Sequence, residues 1–158
     1  MATGLLGSYD GYHVIRILEA ATATNSPPAT YAGAGVDIGA IFDSLYGGAG
    51  RPSEGHLVTH TSAGSGTMTA TMKAWAGYLG LGTSGAGKYV AAGPGAAATA
   101  GVRNGGAAFD EHASDVIART ETVYFDKVTP RKWYEEVTAI GGTSTAITVD
   151  LLVPLVLR

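Results

Sequence analysis

Hydrophobic and polar residues alternate with a period of two along several stretches of this chain, which is the pattern of half-buried β-strands. One such stretch runs from Thr67 to Leu79, and its apolar face carries Met68, Ala70, Met72, Ala74, Ala76 and Tyr78. A second runs from Thr145 to Leu157, with an unbroken face of Ile147, Val149, Leu151, Val153, Leu155 and Leu157. Because Pro154 has no amide hydrogen to donate to a ladder, this strand must lie at a sheet edge or end there.

Three further stretches predict strands: Trp133 to Ile140, Asp115 to Phe125, and the shorter Tyr12 to Leu18. Gly141-Gly142-Thr143-Ser144 separates the first of these from the last strand of the chain. Two β-rich segments joined by a short Gly-Gly loop are typical of a hairpin, so we predict a C-terminal hairpin here. Gly64-Ser65-Gly66 is predicted as another turn.

Two stretches are ambiguous. Val36 to Tyr46 alternates like a strand, yet Ile38, Ile41, Phe42 and Leu45 also fit a helical stripe. Gly39 inside the stretch favours a strand. Residues 80–108 are mostly Gly and Ala, and apart from a short strand at Lys88 to Ala92 they are predicted as a long loop. Residues 20–34 are predicted as a second loop.

The chain has 24 glycines among its 158 residues, and they divide it into roughly seven to nine short strands. This pattern predicts an all-β fold, a single-domain antiparallel β-sandwich of the jelly-roll kind over residues 1–158. Residues 1–11 are expected to be an N-terminal arm. Since this arm and the 80–108 loop have little to bury within the domain, we expect both to be mobile in the isolated protein and ordered in an assembly.

Charged residues make up only 15% of the chain, and the net charge is −3. Such low charge fits a small solvated surface or, as we favour, a surface covered by partners. No cluster of Lys and Arg exists to bind phosphates, which disfavours nucleic acid as a partner. The lack of cysteine excludes disulfides and thiolate metal sites and fits assembly in a reducing cytoplasm. No apolar run is long enough for a membrane span, and the N-terminus lacks signal-peptide features.

Two glycine-rich motifs resemble nucleotide-binding sequences. Gly80 to Gly85 matches G-x-G-x-x-G, and Gly82 to Lys88 matches most of a phosphate loop. The residue after Lys88 is Tyr89, where a phosphate loop needs Ser or Thr, and the glycines that follow prevent a helix from starting. We therefore interpret both segments as turn or loop and expect no nucleotide.

Other combinations of reactive residues are equally weak. His56 and His60 have the spacing of metal ligands on a helix, but Leu57-Val58-Thr59 favours a strand, on which they would lie about 13 Å apart. No nucleophile elbow is present. The acidic pairs Asp110-Glu111, in a predicted loop, and Glu135-Glu136, in a predicted strand, are interpreted as solvated surface. We therefore assign no catalytic, cofactor-binding or metal-binding residue and expect no enzyme activity.

Aromatic residues are the remaining signal, and they include Trp75, Trp133, Tyr78, Tyr89, Tyr124 and Tyr134. We interpret them as core or subunit-interface residues; the alternative is a platform for a carbohydrate.

The second half of the chain resembles a group of tailed-bacteriophage virion proteins. The similar segments are Met72 to Tyr78, Gly87 to Val90, the glycine-rich stretches Gly93 to Gly95 and Gly101 to Gly106, and Tyr134 to Thr143. They span residues 67–153, and the first 60 residues show no comparable likeness. The resemblance implies a structural protein of the virion, of the capsid decoration or cement type, with a jelly-roll-like sandwich.

On this resemblance the expected partners are copies of the same chain, in a homo-oligomer such as a trimer, and the major capsid protein. The expected location is the virion, after assembly in the host cytoplasm. The alternatives are a phage tail or fibre component, or a carbohydrate-binding β-sandwich module. An exposed Trp75 or Trp133 would favour carbohydrate binding.

Overall fold

A computed structural model describes residues 3–26, 28, 31–47, 50–78, 87–92, 109–111, 114–124 and 131–156. Within these ranges the chain forms antiparallel β-strands and one short helix, which confirms the all-β class. The elements are β1 (Gly4–Tyr9), β2 (Tyr12–Ala21), β3 (Val36–Asp37), α1 (Ile38–Tyr46), β4 (Glu54–Tyr78), β5 (Lys88–Ala92), β6 (Phe109–Glu111), β7 (Ser114–Tyr124) and β8 (Lys132–Pro154).

Two long strands organise the fold, because β4 pairs antiparallel with β8 from His56 opposite Leu152 to Gly77 opposite Lys132. On its other side β4 pairs with β7, β6 and β5 in turn. On the side away from β4, strand β8 pairs with β2 near the C-terminal end of β8 and with β3 at the start of β8. Strand β1 lies outside β2, so the strand order is β1-β2-β8-β4-β5 and the sheet is open.

The predicted C-terminal hairpin is wrong. Residues 141–144 lie within β8, which is one continuous strand, and the predicted turn at residues 64–66 lies within β4. These two glycine-rich segments face each other: Ser65 is opposite Thr143, Thr69 is opposite Gly141, and the register shifts between them. Glycine inside a strand commonly marks such an irregularity, so the residues interpreted as turns locate a bulged region of a long ladder.

The preference for a strand from Val36 to Tyr46 is also wrong beyond its first two residues, because Ile38–Tyr46 forms α1. The side chain of Asp37 caps the helix by accepting a hydrogen bond from the Ala40 amide at 2.8 Å. Gly47, with a φ of 57°, ends it in the left-handed conformation. These two end signals outweigh the single internal glycine, and the helical stripe places Ile38 and Phe42 in the core.

Most of the expected N-terminal arm is a strand of the sheet. β1 and β2 form a hairpin whose two-residue loop is Asp10-Gly11, with φ values of 51° and 85°. Positive φ at both loop positions is the geometry of the hairpin turn that matches the twist of the strands, and Asp-Gly is a favoured sequence for it.

The core lies on one face of the sheet. The predicted apolar face of the last strand is confirmed between residues 147 and 153, where every odd-numbered residue is fully buried. The predicted apolar face of β4 is confirmed at Met72, Ala74 and Ala76, which are also buried. Beyond Pro154, where β8 ends as predicted, Leu155 is 40% exposed and is not a core residue. The Tyr46 hydroxyl donates to the Pro154 carbonyl and ties α1 to this end of β8.

The loop after β2 is fixed to β8 at two points. The side chain of Asn25 donates to the Glu135 carbonyl and accepts from the Val137 amide, at 3.1 and 2.6 Å. Lys132 donates to the Tyr31 carbonyl at 2.8 Å and lies over the ring of Tyr31. Asn25 therefore acts as a strand partner where neither β2 nor β3 pairs with β8.

Candidate functional site

Among the residues whose side chains the structure places, five large apolar side chains are more than a third exposed, and they lie on β1 or just after the end of β8. We call this set the apolar corner, and it consists of Leu5, Leu6, Tyr9, Leu155 and Val156. The Leu155 amide donates to the Gly11 carbonyl at 3.1 Å, which holds the end of the chain against the β1–β2 turn. Exposed apolar residues concentrated in one place on a protein surface indicate an interaction site.

The corner has apolar side chains on both faces of the sheet. Leu5 pairs with Ile15, which pairs with Leu151, and Leu151 pairs with Leu57. Directly paired residues share a face, so Leu5 extends a fully buried core row onto the outermost strand, where it is 44% exposed. Tyr9 pairs with Tyr12, three residues from Ile15, and therefore lies on the opposite face.

The backbone edge of β1 is also free, because within the described ranges this strand pairs only with β2. Its sequence, GLLGSY, contains no charged residue and no proline, the residues with which proteins usually protect a sheet edge. A bulge between Leu5 and Gly7 is the one such device that β1 carries. Strand β1 is therefore an apolar edge able to accept another strand.

A polar groove of about 630 Å³ lies beside this corner, between the β1–β2 turn, the segment after α1 and the start of β4. Asp10, Tyr12, Arg51, Glu54 and His56 are among the residues that line it. The rings of Tyr12 and His56 meet edge to face, with centroids 5.9 Å apart. The groove offers carboxylates, a guanidinium and an aromatic edge to a polar ligand.

Arg51 is held in place on this side of the molecule. Its guanidinium lies 3.4 Å from the Asp43 carboxylate and 5.8 Å from the centroid of the Phe42 ring. The solvent-facing side of the sheet carries a stronger pair, since Arg16 donates to both carboxylate oxygens of Asp150 at 2.9 and 3.1 Å. That hydrogen-bonded carboxylate raises the pKa of the Arg16 guanidinium above its usual value.

The histidines are separated by the fold. His56 and His60 lie on β4, as predicted for a strand, and His13 on β2 contacts Ser8 and the ring of Tyr46. His112 lies outside the described residues. Among the side chains that the structure places, no three potential metal ligands come together, and the expectation that no metal binds stays a prediction.

The interpretation of Glu135-Glu136 as solvated surface is wrong for Glu135, and the predicted loop at Asp110-Glu111 is wrong because these two residues lie in β6. The prediction that Asp110 and Glu111 are solvated stays a prediction. Glu135 is 1% exposed and accepts a hydrogen bond from the Trp133 indole at 2.9 Å, whereas Glu136 accepts one from the Trp75 indole at 2.7 Å. The two carboxylates do point to opposite faces, as predicted, and each has an indole partner.

Neither tryptophan offers an open platform. Trp133 is buried in the core at 6% exposure, and Trp75 is half-buried with its indole nitrogen bonded to Glu136. Burial, and then the negative charge of Glu136, raise the pKa of Tyr134. The prediction that these aromatics belong to the core is confirmed for Trp133.

Residues 80–86, which make up most of the two glycine-rich motifs, lie outside the described residues, but Gly87 and Lys88 are placed. Gly87 has a φ of 81° and packs under Tyr31, and Lys88 opens strand β5 opposite Tyr78. A phosphate loop needs a helix after its lysine, so this part of the motif does not have the structure of a phosphate loop, and the expectation that no nucleotide binds stays a prediction.

Comparison with models of protein families, with curated proteins and with solved structures found no match to this chain. Within the described ranges, no helix is long and apolar enough to cross a membrane.

Proposed function

We propose that this chain is a non-enzymatic structural protein of a bacteriophage virion, which decorates and stabilises the capsid as a small symmetric oligomer. The resemblance of residues 67–153 to virion proteins supports this role. Its partners would be further copies of itself and the major capsid protein, not nucleic acid or a membrane. It would reach the virion after synthesis in the host cytoplasm.

The apolar corner is the observation that carries the proposal. Its most exposed side chains are Tyr9 and Val156, at 61% and 68%. Leu5, Leu6 and Tyr9 lie on β1, the outermost strand of an open sheet, which contains no charged residue. A monomer gains nothing from such an edge and risks aggregation through it. A protein that functions by joining a large assembly uses the same edge to bury surface, and the assembled state is then stabilised by mass action.

The proposal includes the jelly-roll-like sandwich that the resemblance implies. One core cluster contains residues from both halves of the long ladder, for example Leu57 with Leu151, and Met72 with Val137. A single core shared by both halves favours a two-layer arrangement, in which the layers are different parts of the same two strands.

Capsids assembled without the protein provide the functional test. Purified protein added to such heads should bind them and raise the temperature at which they release DNA, measured with a dye that is fluorescent on free DNA. The Leu6→Lys variant, which charges the apolar corner, should lose most of this effect. Heads that disrupt at the same temperature with and without bound protein would contradict a stabilising role.

The polar groove supports a second candidate, a carbohydrate-binding module of a tail or fibre. Tyr12, His56 and the carboxylates of Asp10 and Glu54 are of the types that bind sugar rings and hydroxyls. Titration with cell-surface glycan fragments, followed by nuclear magnetic resonance, separates the two roles. Saturable shifts of Tyr12 and His56 would favour the glycan role, whereas the decoration role predicts none.

A further inference from the structure

We infer that two copies of this protein associate through β1, each adding its β1 strand antiparallel to the other so that two sheets become one. This contact adds detail to the proposed function. The contact itself is argued from the structure, and only its biological purpose rests on the proposed function. It is a two-fold contact and closes at two copies, which replaces the expected trimer with a unit built on dimers.

The placement of the exposed side chains points to an added strand. Leu5 lies on the core face and Tyr9 on the opposite face of the same edge. A partner docked on one face would cover only one of these side chains. A strand paired along the edge has side chains on both faces and covers both, while its backbone satisfies the free hydrogen-bonding groups of β1.

A second copy's β1 is the partner that fits best. The other outer strand of this part of the sheet, β7, contains Asp115, Arg119 and Glu121, whereas β1 has no charged residue. Pairing β1 with β7 of a neighbour would place charged residues along an apolar strand and leave the same two edges open on the next copy. Pairing β1 with β1 brings two uncharged apolar strands together and leaves neither β1 edge open.

The apolar side chains of the edge strand itself contribute to such a contact. Leu5, Leu6 and Tyr9, with exposed fractions of 44%, 38% and 61%, leave on the order of 300 Å² of apolar surface on one copy. Two paired β1 strands therefore cover on the order of 600 Å² of apolar side chain, and the paired backbones add to this toward the roughly 1,000 Å² of a specific interface.

Sedimentation of the purified full chain over a range of concentrations tests this contact. The wild type should form a two-copy species, and Leu6→Lys should raise its dissociation constant at least tenfold. Thr122→Lys, an exposed position on β7, is the matched control and should leave it unchanged. A wild type that stays monomeric, or a dimer weakened by Thr122→Lys and not by Leu6→Lys, would overturn the inference.

A distance measurement tests the same contact without the Leu6→Lys variant, whose folding could itself be impaired. The chain has no cysteine, so Ser8→Cys carries a single spin label for pulsed electron paramagnetic resonance. Since β1 has six residues, a β1–β1 register that pairs at least four of them places the two labelled backbones within about 18 Å, whereas β1–β7 pairing separates them by about 24 Å or more. The longer distance would overturn the inference. A two-copy species from a chain that is missing from purified virions would instead refute the virion role and leave this contact standing.

Discussion

The side chain of Asn25 hydrogen-bonds to the edge of β8. Replacing Asn25 with alanine measures how much this contact contributes to the free energy of unfolding. The amide group of Asn25 serves the Glu135 carbonyl and the Val137 amide, at residues that are 1% and 0% exposed. The side chain therefore stands in for a peptide group of a neighbouring strand, against the backbone of two buried residues.

The magnitude follows from the two lost bonds. A buried backbone donor or acceptor that loses its partner costs about 1–3 kcal/mol. The backbone bond from the Asn25 amide to the Val137 carbonyl remains and limits the loss. We therefore expect Asn25→Ala to lower the free energy of unfolding by about 2–4 kcal/mol, and Asn25→Asp to lower it as well, because a carboxylate cannot donate to the Glu135 carbonyl.

Urea unfolding followed by tryptophan fluorescence suits the measurement, because Trp133 is buried two residues from Glu135. Hydrogen exchange at the Val137 amide should accelerate in the variant. Thr24→Ala, an exposed change in the same loop, is the control and should cost less than about 0.5 kcal/mol. An equally small loss for Asn25→Ala, with Val137 still protected, would refute the view that this side chain closes the edge of β8.

Three further predictions concern the packing of the core, the close approach of Gly87 to Tyr31 and the loss of stability at alkaline pH. Leu151→Ala should cost about 2–5 kcal/mol in urea unfolding, whereas Leu152→Ala on the half-buried face should cost clearly less; equal losses would contradict the register. Gly87→Ala should cost more than Gly11→Ala, because both have φ above 80° but a β-carbon at Gly87 would lie 2.4 Å from Tyr31, and equal melting temperatures would count against this packing. Burial raises the pKa of Tyr46, so the folded state holds the Tyr46 proton more tightly than the unfolded state does. This difference stabilises the folded state only while Tyr46 stays protonated: the contribution is fully present below pH of about 10 and is lost as the pH rises through the raised pKa. Tyr46→Phe should therefore be about 1 kcal/mol less stable near neutral pH, where the bond to Pro154 is missing, and lose less stability above pH of about 10; identical alkaline profiles would argue against a buried Tyr46 hydroxyl.

The apolar faces of the strands could be predicted because burial on one side of a sheet imposes a period of two. Ile147 to Val153 and Met72 to Ala76 follow that rule and are buried as expected. The class of fold followed from the number of such segments and the glycines between them. These features are local, so the sequence carries them directly.

Chain reversals were less predictable. Gly141-Gly142 has the composition of a hairpin loop, but each half of β8 pairs with β4, and that long-range pairing keeps the strand continuous. Asp10-Gly11, a favoured hairpin sequence, forms a turn that the interpretation of residues 1–11 as an arm overlooked. Asp37 and Gly47 likewise flank α1 with end signals that could have identified the helix.

The apolar corner could not be predicted from local pattern. Leu155 continues the alternation of β8 and was expected in the core, and only the position of Pro154 opposite Tyr12 shows that the strand ends before it. Leu5 is exposed because β1 is the outermost strand, which depends on the pairing of β2 with β8. The burial of Glu135 depends in the same way on the donor nitrogen of Trp133 two residues away, and a pair of glutamates in sequence gives no sign of it.

The location of the chain in a purified virion tests the central claim most directly. The proposed function implies that a phage encodes the chain, and the heads and tails of its particles can be separated and analysed by quantitative mass spectrometry. The account predicts that the chain is recovered with heads, in many copies and in a fixed ratio to the major capsid protein. Recovery with tails, or no recovery from either fraction, would contradict a role in decorating and stabilising the capsid.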